Sequence, residues 1–564
     1  MHLIVLWPLL LLEIWLPGWV LVRGLLARDE DDEVLLAVPA AALVYGAFAL
    51  AGVTLRVDPR LVSLAALVVP LGAGLFALAL RQRTFWPARA HNRILLLFWI
   101  ATTSLYLGLA GLMPTFVGGG WFNDWKLSYQ LADWYGNYGG IGQHFFKVYT
   151  PISRPPLFYM LSGLDLSRWV GVFDTYQITA TAWNGTLVFG LWAWLRTLPG
   201  RWKWSALLAG MLLPVVAVNL LYPWPKAFTT GLVLTGLYFF RRWERGTEGT
   251  GTARRAPTED GVLAAILFGL GWFAHQLTLA WLAGLAFYLL LRWRTLRAAR
   301  LRQLAVGGLI VLAVSAPWWL WALAEYGLEP FASATPVFSR VLDRTGYDMV
   351  VTRGYNAVGL VLPENTRRVL EHRPLQPESA LPPWIEGMQA IWRGTVWGNL
   401  GLATLLVLLL ALLRWRGRMT GWPGWACLGF IIVFAILVQP LREHGGVAQV
   451  VLLPLALVLF AWAARTLART GSRGLGAAWL LCVVIEFALA APAWILALQR
   501  EVARGNIAVR EHGVTTLIQA VGATVPEIFL AGGALFLAAW IVLAWLDTRQ
   551  KEIDLEEEAD IFNG

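Results

Sequence analysis

The residues best equipped for chemistry gather in one stretch, GGGWFNDWKLSYQLADWYGNYGG followed by IGQHFFKVYTPISRPPLFYMLSG. Asp124 opens a helical pattern over 125–135 that carries Tyr129 and Asp133 further along. Trp121, Trp125, Trp134, Tyr135 and Tyr138 surround the acid. Their faces suit stacking on a sugar ring, and equally a membrane–water interface. Asn123 or Asp124 also fits a helix cap. Lys147 and Arg154 follow, and Arg154 directly precedes Pro155 and Pro156, a pair that starts a helix well. A guanidinium at the mouth of that helix could hold a phosphate through paired N–H bonds. It would also serve as an interfacial anchor. Two more polar groups interrupt apolar surroundings. Lys226 opens an apolar run after Tyr222-Pro223-Trp224-Pro225, and His275 lies between two such runs.

These residues need a scaffold, and the composition says which kind. Of 564 residues 58% are hydrophobic and 14% charged, against about 25% charged in an ordinary soluble domain. The apolar residues come in blocks near the length that crosses a bilayer. The expectation is an all-α polytopic membrane protein with about fifteen spans. They fall near 3–22, 34–52, 61–80, 94–112, 177–195, 204–221, 226–240, 261–274, 276–291, 304–323, 397–413, 423–439, 447–464, 475–497 and 527–546. The block at 3–22 lacks a basic leader and a clear cleavage site, so it reads as a retained span. Cys427 and Cys482 fall inside apolar blocks and offer neither a disulfide framework nor zinc spacing.

The net charge of +10 does not point to nucleic acid. Forty of the 45 basic residues are arginines, and they cluster at block ends as topology anchors do. The 33 tryptophans suit the same interface. Six basic clusters run Arg81 to Arg93, Arg196 to Lys203, Arg241 to Arg255, Arg292 to Arg302, Arg414 to Arg418 and Arg465 to Arg473. The positive-inside rule puts all six in the cytoplasm. That is possible only if the apolar segment 156–171 does not cross. It is therefore read as a juxtamembrane helix on the outer surface, and the loops 113–155 and 324–396 both face out.

With that arrangement the motifs resemble the GT-C membrane glycosyltransferases. The nearest group is the one related to protein O-mannosyltransferases and the lipid A aminoarabinose transferase. The resemblance is carried by a long outer loop with an Asp near its start and basic-Pro-Pro-Leu-Phe-Tyr at its end. LYPWPKAFTTGLVLTGLYFF is similar to that family's outer loop and next span, and GWFAHQLTLAWLAGLAFYLLLR to its short outer hairpin, with His275 at the tip. EHGGVAQVVLLPLALVLFAW resembles a late span, although the family's Arg-Tyr pair is missing and Glu443-His444 stands nearby. The likeness covers about 93–465. It implies a GT-C-like bundle and a polyprenyl-phosphate sugar donor used at the outer leaflet. It further implies transfer with inversion to an acceptor hydroxyl whose proton goes to Asp124. Cations that would stabilise the departing phosphate are Arg154, Lys147, Lys226 and Arg442. Asp133, Tyr129, His275, His444 and Trp125 are candidates for substrate contact.

The implied organisation is extra N-terminal helices over 1–92 and a core over 93–323. An outer loop over 324–396, helices over 397–546 and an acidic cytoplasmic tail over 547–564 follow. No phosphate-binding G-x-x-x-x-G-K-[ST] loop and no H-E-x-x-H motif occurs. Asp124 and Asp133 are nine residues apart, which places them on opposite faces of a helix. That is a poor two-point clamp, so no metal and no other cofactor is expected. The expected partners are the lipid-linked sugar, a glycan, lipid or protein acceptor, and membrane lipid, in a bacterial plasma membrane with the site facing the periplasm. Two other readings stay open. One is an O-antigen ligase or polymerase, for which Arg367, Arg368, His372 and Arg373 are suitable. The other is a transporter or flippase of lipid-linked sugars, which often shows internal repeats; none is visible here.

Overall fold

The computed structural model describes residues 2–26, 28–112, 124–140, 142–145, 149–169, 173–246, 257–293, 298–334, 350–351, 353–354, 357, 401–414, 422–438, 453–503 and 524–563. Among them the chain is helical, and the one β pairing is an isolated bridge between Phe145 and Tyr149. Among the described residues six helices are long and apolar enough to cross a membrane, or seven if the pair Trp202–Met211 and Pro214–Leu221, bent by 55°, counts as one span. Among the described residues, some of the expected apolar blocks form short or broken helices. The reasons are local. The block near 177–195 is broken at Thr186 into α7 (Phe173–Gly185) and α8 (Leu187–Leu195). The block near 276–291 makes only 15 residues of helix, about 22 Å at 1.5 Å per residue.

At the N-terminal side, α1 (His2–Leu25), α2 (Glu30–Leu55) and α3 (Pro59–Leu80) pack together. A Cβ on Gly18 would meet the Ala37 carbonyl oxygen at 1.8 Å, so only glycine permits the close approach of α1 and α2 there. Next come α4 (Ala90–Gly111), α5 (Asp124–Asn137) and α6 (Leu157–Arg168), then α7 and α8. The bent pair forms α9 and α10, and α11 (Lys226–Gly246), α12 (Pro257–Ala274), α13 (Leu277–Leu291), α14 (Ala298–Tyr326) and α15 (Leu328–Ala334) follow. The described chain ends with α16 (Leu402–Arg414), α17 (Trp422–Val438), α18 (Leu453–Arg469), α19 (Arg473–Ala503) and α20 (Thr524–Asn563). Helix α20 lies along α4, with Trp540 and Phe98 rings 4.5 Å apart. It continues as helix to Asn563, where the sequence suggested only a solvated tail. Asp547 is tied back by Lys203 at 3.3 Å.

One end of the bundle is held by charge. The acidic run that opens α2 is buried, and it gathers arginines from widely separated loops. Glu33 pairs with Arg23 at 2.9 Å and Arg83 at 2.6 Å, and Asp31 pairs with Arg89 at 3.0 Å and His91 at 2.7 Å. Asp32 takes Arg196 at 3.0 Å and also Arg242. Arg28 reaches Asp260 at 2.6 Å. Arg465 donates to Thr197 at 2.8 Å, and Arg292 pairs with Glu244. Arginines from five of the six basic clusters thus share one end. Its partners make the run the hub of this end.

Candidate functional site

The opposite end is reached by following α11, whose 21 residues run from Lys226 past Arg241, Arg242 and Arg245 to Gly246. At 1.5 Å per residue that is about 30 Å, the thickness of a bilayer core. Three chain turns meet there. The first is the turn before α6, where Phe145 and Tyr149 exchange backbone hydrogen bonds at 2.7 and 2.9 Å. It carries Arg154, whose guanidinium lies 5.6 Å from the centre of the Tyr149 ring. The second is the start of α11. The third is the break between α12 and α13, occupied by His275. Packing fixes their meeting. Phe158 of α6 and Phe228 of α11 have ring centres 6.0 Å apart, and Leu157 and Phe273 both press on Gly46 of α2.

Lys226 and Arg154 both lie within electrostatic reach of His275. His275 retains some solvent-accessible surface but is deeply surrounded. Burial, with the charges of Lys226 and Arg154 adding to it, holds its imidazole well below the usual histidine range. The neutral form is the stable one. The backbone N–H of Leu277, at the first turn of α13, donates to Nδ1 at 3.0 Å, so the ring proton is assigned to Nε2. The site thus presents a guanidinium, an ammonium and a neutral imidazole N–H, a set of donors matched to a phosphate monoester or diester.

Lys226 is 5% exposed and rests over Trp224, with Nζ 3.3 Å from the ring centre. The loop beneath it is braced by α7. Asn184 Nδ2 donates to the Trp224 carbonyl at 2.7 Å, and Asn184 Oδ1 accepts from the Phe228 N–H at 3.0 Å. The Tyr176 hydroxyl donates to the Pro223 carbonyl at 2.7 Å.

Helix α5 begins at Asp124, so the candidate acid stands in its first turn; its side chain and that of Trp125 are not described. Both acids of α5 are helical, nine positions apart, and lie on opposite faces. Asp133 is half-buried. Burial raises its carboxyl, and Asn137 Nδ2 donates to it at 2.8 Å. Tyr129 faces the rings of Phe173 and Tyr176, at 5.4 and 5.6 Å. Burial first, then Asp133 and Asp174, push its phenol up to about 12. Helix α5 is seated on α6 through Gly136 and Gly163. A Cβ on Gly136 would meet the Gly163 carbonyl oxygen at 2.7 Å.

Helix α6 is about 18 Å long by its 12 residues, short of a 30 Å hydrocarbon core. It is bolted to the N-terminal helices. Arg168 pairs with Glu13 at 2.5 Å and donates to the Ser63 carbonyl at 2.8 Å. Ser63 Oγ donates to the Leu164 carbonyl at 2.7 Å. Glu13, an acid inside a span, thus has its partner on α6.

Lys147, Arg442 and His444 lie outside the described residues, as do Arg367, Arg368, His372 and Arg373. Among the described residues no three His, Cys, Asp or Glu side chains come together in a group that could hold a metal. No protein-family model matches the chain, and no curated protein matches it. Among solved structures it is similar to ArnT from Cupriavidus metallidurans in the apo state, at 13% identity and a TM-score of 0.34. That match covers 65% of this chain and 76% of the other. It is also similar to ArnT from the same organism bound to undecaprenyl phosphate, at 12% identity and a TM-score of 0.35, over 66% and 77% of the two chains.

Sequence reasoning missed the groups that brace the site. Asn184 falls inside the expected span 177–195, and Tyr176 stands just before it. The signal was present in QITATAWNGT, a polar interruption of a segment otherwise fit for lipid. Arg168 carries no signal of its own in the sequence, and only the fold brings it to Glu13.

Proposed function

We propose that the chain is an inverting glycosyltransferase of a bacterial plasma membrane. It moves a sugar from a polyprenyl-phosphate donor to an acceptor hydroxyl at the outer face. The observation that carries this reading is the convergence of Arg154, Lys226 and His275 about 30 Å from the arginine-rich end, beside the turn that leads from α5 into α6. A phosphate on a lipid would be met there by donors at membrane-surface depth. The acceptor oxygen bonds to the anomeric carbon from the face opposite the phosphate. The carbon–oxygen bond to phosphate breaks, and the electron pair leaves with the phosphate. Arg154 and Lys226 offset the charge gathered there, and the Nε2–H of neutral His275 adds a hydrogen bond. Asp124 takes the proton from the acceptor hydroxyl.

The outer face follows from the positive-inside rule, which puts the arginine-rich end in the cytoplasm. The test is binding of polyprenyl phosphate to the purified protein. Arg154→Ala should weaken it by about 10- to 100-fold, the worth of a charge-assisted hydrogen bond. Arg154→Lys should recover part of it, because an ammonium replaces the charge but not the paired geometry. Unchanged affinity in Arg154→Ala would remove the phosphate site.

A further inference from the structure

A second opening lies at the other end of the molecule. A crevice of about 810 Å³ sits between α11, α13, α17 and α18. Arg241, Arg245, Arg292 and Arg465 line it, against the single acid Glu244. Glu244 is already engaged by Arg292 and by the Tyr288 hydroxyl. Arg465 stands within electrostatic reach of Arg241, Arg245 and Arg469, and all three repel it. Its Nη2 is held by Thr197 Oγ1 at 2.8 Å, so the guanidinium is fixed in this crowd. Like charges brought together at a membrane surface cost free energy unless an anion joins them.

The other side of the crevice is apolar. Trp281, Leu285, Leu428 and Trp462 form its wall. Trp281 and Arg292 are eleven residues apart on one helix and its cap, so the wall runs about 16 Å from the cationic rim into the bilayer. Phe240 and Leu285 separate it from a neighbouring apolar crevice of about 400 Å³. A soluble anion would use the rim and leave the wall uncovered. A neutral lipid would use the wall and leave the arginines uncompensated. Basic pockets between helices on the cytoplasmic side are suited to acidic headgroups.

We infer that this crevice binds an anionic phospholipid, with its phosphate on Arg241, Arg245 and Arg465 and an acyl chain along Trp281 and Leu285. The site is separate from the one proposed for sugar transfer and does not depend on that reading.

The experiment uses the full-length protein in detergent, with thermal unfolding and native mass spectrometry as readouts. Phosphatidylglycerol should raise the melting temperature and remain bound, and phosphatidylcholine should do neither. The double variant R241Q/R465Q should bind phosphatidylglycerol at least about 10-fold more weakly, as expected for loss of charge-assisted hydrogen bonds. Leu285→Trp, which fills the wall and keeps every arginine, should also lose it. That second variant decides the matter if the first fails to fold. Polyprenyl phosphate binding should be unchanged in the Leu285 variant, which separates this site from the Arg154 site. Equal stabilisation by phosphatidylcholine would overturn the inference. So would equal stabilisation by inorganic phosphate, or undiminished phosphatidylglycerol binding in both variants.

Discussion

The ammonium of Lys226 sits 3.3 Å from the centre of the Trp224 indole, and that indole is stacked on Tyr222 with ring centres 5.0 Å apart. A cation over an aromatic face is stabilised by roughly 0.5–2 kcal/mol, less than a well-made contact with an anionic phosphate. The aromatic pair therefore seats the Lys226 ammonium. Lys226→Met should lower donor affinity by about 10-fold or more. Trp224→Leu should lower it by less, since the charge stays and only its seat is lost. Equilibrium binding of polyprenyl phosphate to the two purified variants checks the order.

His275 should stay neutral through the physiological range. Burial and then the charges of Lys226 and Arg154 lower its pKa, so the protonated form appears only well below the ordinary histidine value. In Lys226→Met one of those charges is gone, and the His275 pKa should rise. Nitrogen-15 NMR of labelled histidine, with seven histidines in the chain and His275→Gln for assignment, reads both. A titration near 6.5 in the parent protein would contradict the packing described.

Asp165 of α6 gives a stability signature with a definite sign. It is 1% exposed, and Trp183 Nε1 donates to it at 3.2 Å. Burial pushes its carboxyl up to about 7; Arg168 opposes this and Glu13 reinforces it. The unfolded chain loses this proton near 4, so between about 4 and 7 the folded state binds more protons than the unfolded one. Its contribution is fully present at the acid end of that window and is lost as pH rises towards 7. Asp165→Asn keeps an acceptor for Trp183 and removes the titration. The variant should gain melting temperature relative to the parent from pH 4 to 7, with no further change above. Unfolding scans across that range measure it.

The charge hub should matter more than the surface pairs. Asp32 has a side-chain exposure of 4% and serves Arg196 and Arg242 together. Removing it leaves Arg242 with Asp260 and Arg196 with Asp31 at 3.9 Å as their remaining carboxylates, at a cost of about 3 kcal/mol. The pair of Arg56 and Glu325 is 3.8 Å apart with side chains 43% and 36% exposed, and its loss should cost under about 1 kcal/mol. Unfolding of Asp32→Ala and Glu325→Gln in the same detergent compares them.

Much of this was legible in the sequence, for identifiable reasons. The apolar blocks and their arginine borders are strong signals, because lipid admits little but helix. The parity of those borders singled out 156–171, and the structure gives a 12-residue helix there. Arg154, Lys226 and His275 each broke an apolar context, which made them visible one at a time. Their convergence was not visible. It depends on Phe158, Phe228 and Phe273, aromatic side chains indistinguishable in sequence from ordinary core. The hub was also hidden, since an acidic run looks the same whether it is solvated or buried against arginines 50 to 210 residues away.

The orientation of the site can be read directly. Asn137 at the end of α5 and Gln82 after α3 are both exposed, and they lie at opposite ends of the bundle. In a background without Cys427 and Cys482, Asn137→Cys should react with an impermeant maleimide in intact cells. Gln82→Cys should react only after lysis. The reverse pattern would put the Arg154 site inside.

The acid that does the chemistry is the sharpest case. Asp124 is the first residue of α5 and Asp133 lies on the opposite face of the same helix. Loss of a general base typically costs about 10²–10⁴-fold in rate. Asp124→Asn keeps the size of the side chain and a comparable capacity to satisfy a helix start, and removes the proton-accepting charge. It should fold and bind donor as the parent does, and lose sugar transfer by that factor. Asp133 has a carboxyl raised by burial, and one of its oxygens already accepts from Asn137 Nδ2 at 2.8 Å. Asp133→Asn should keep most of the activity. Single-turnover transfer from a polyprenyl-phosphate sugar, with donor binding measured on the same samples, separates the two acids. Near-parental transfer by Asp124→Asn, with loss in Asp133→Asn, would exchange their roles.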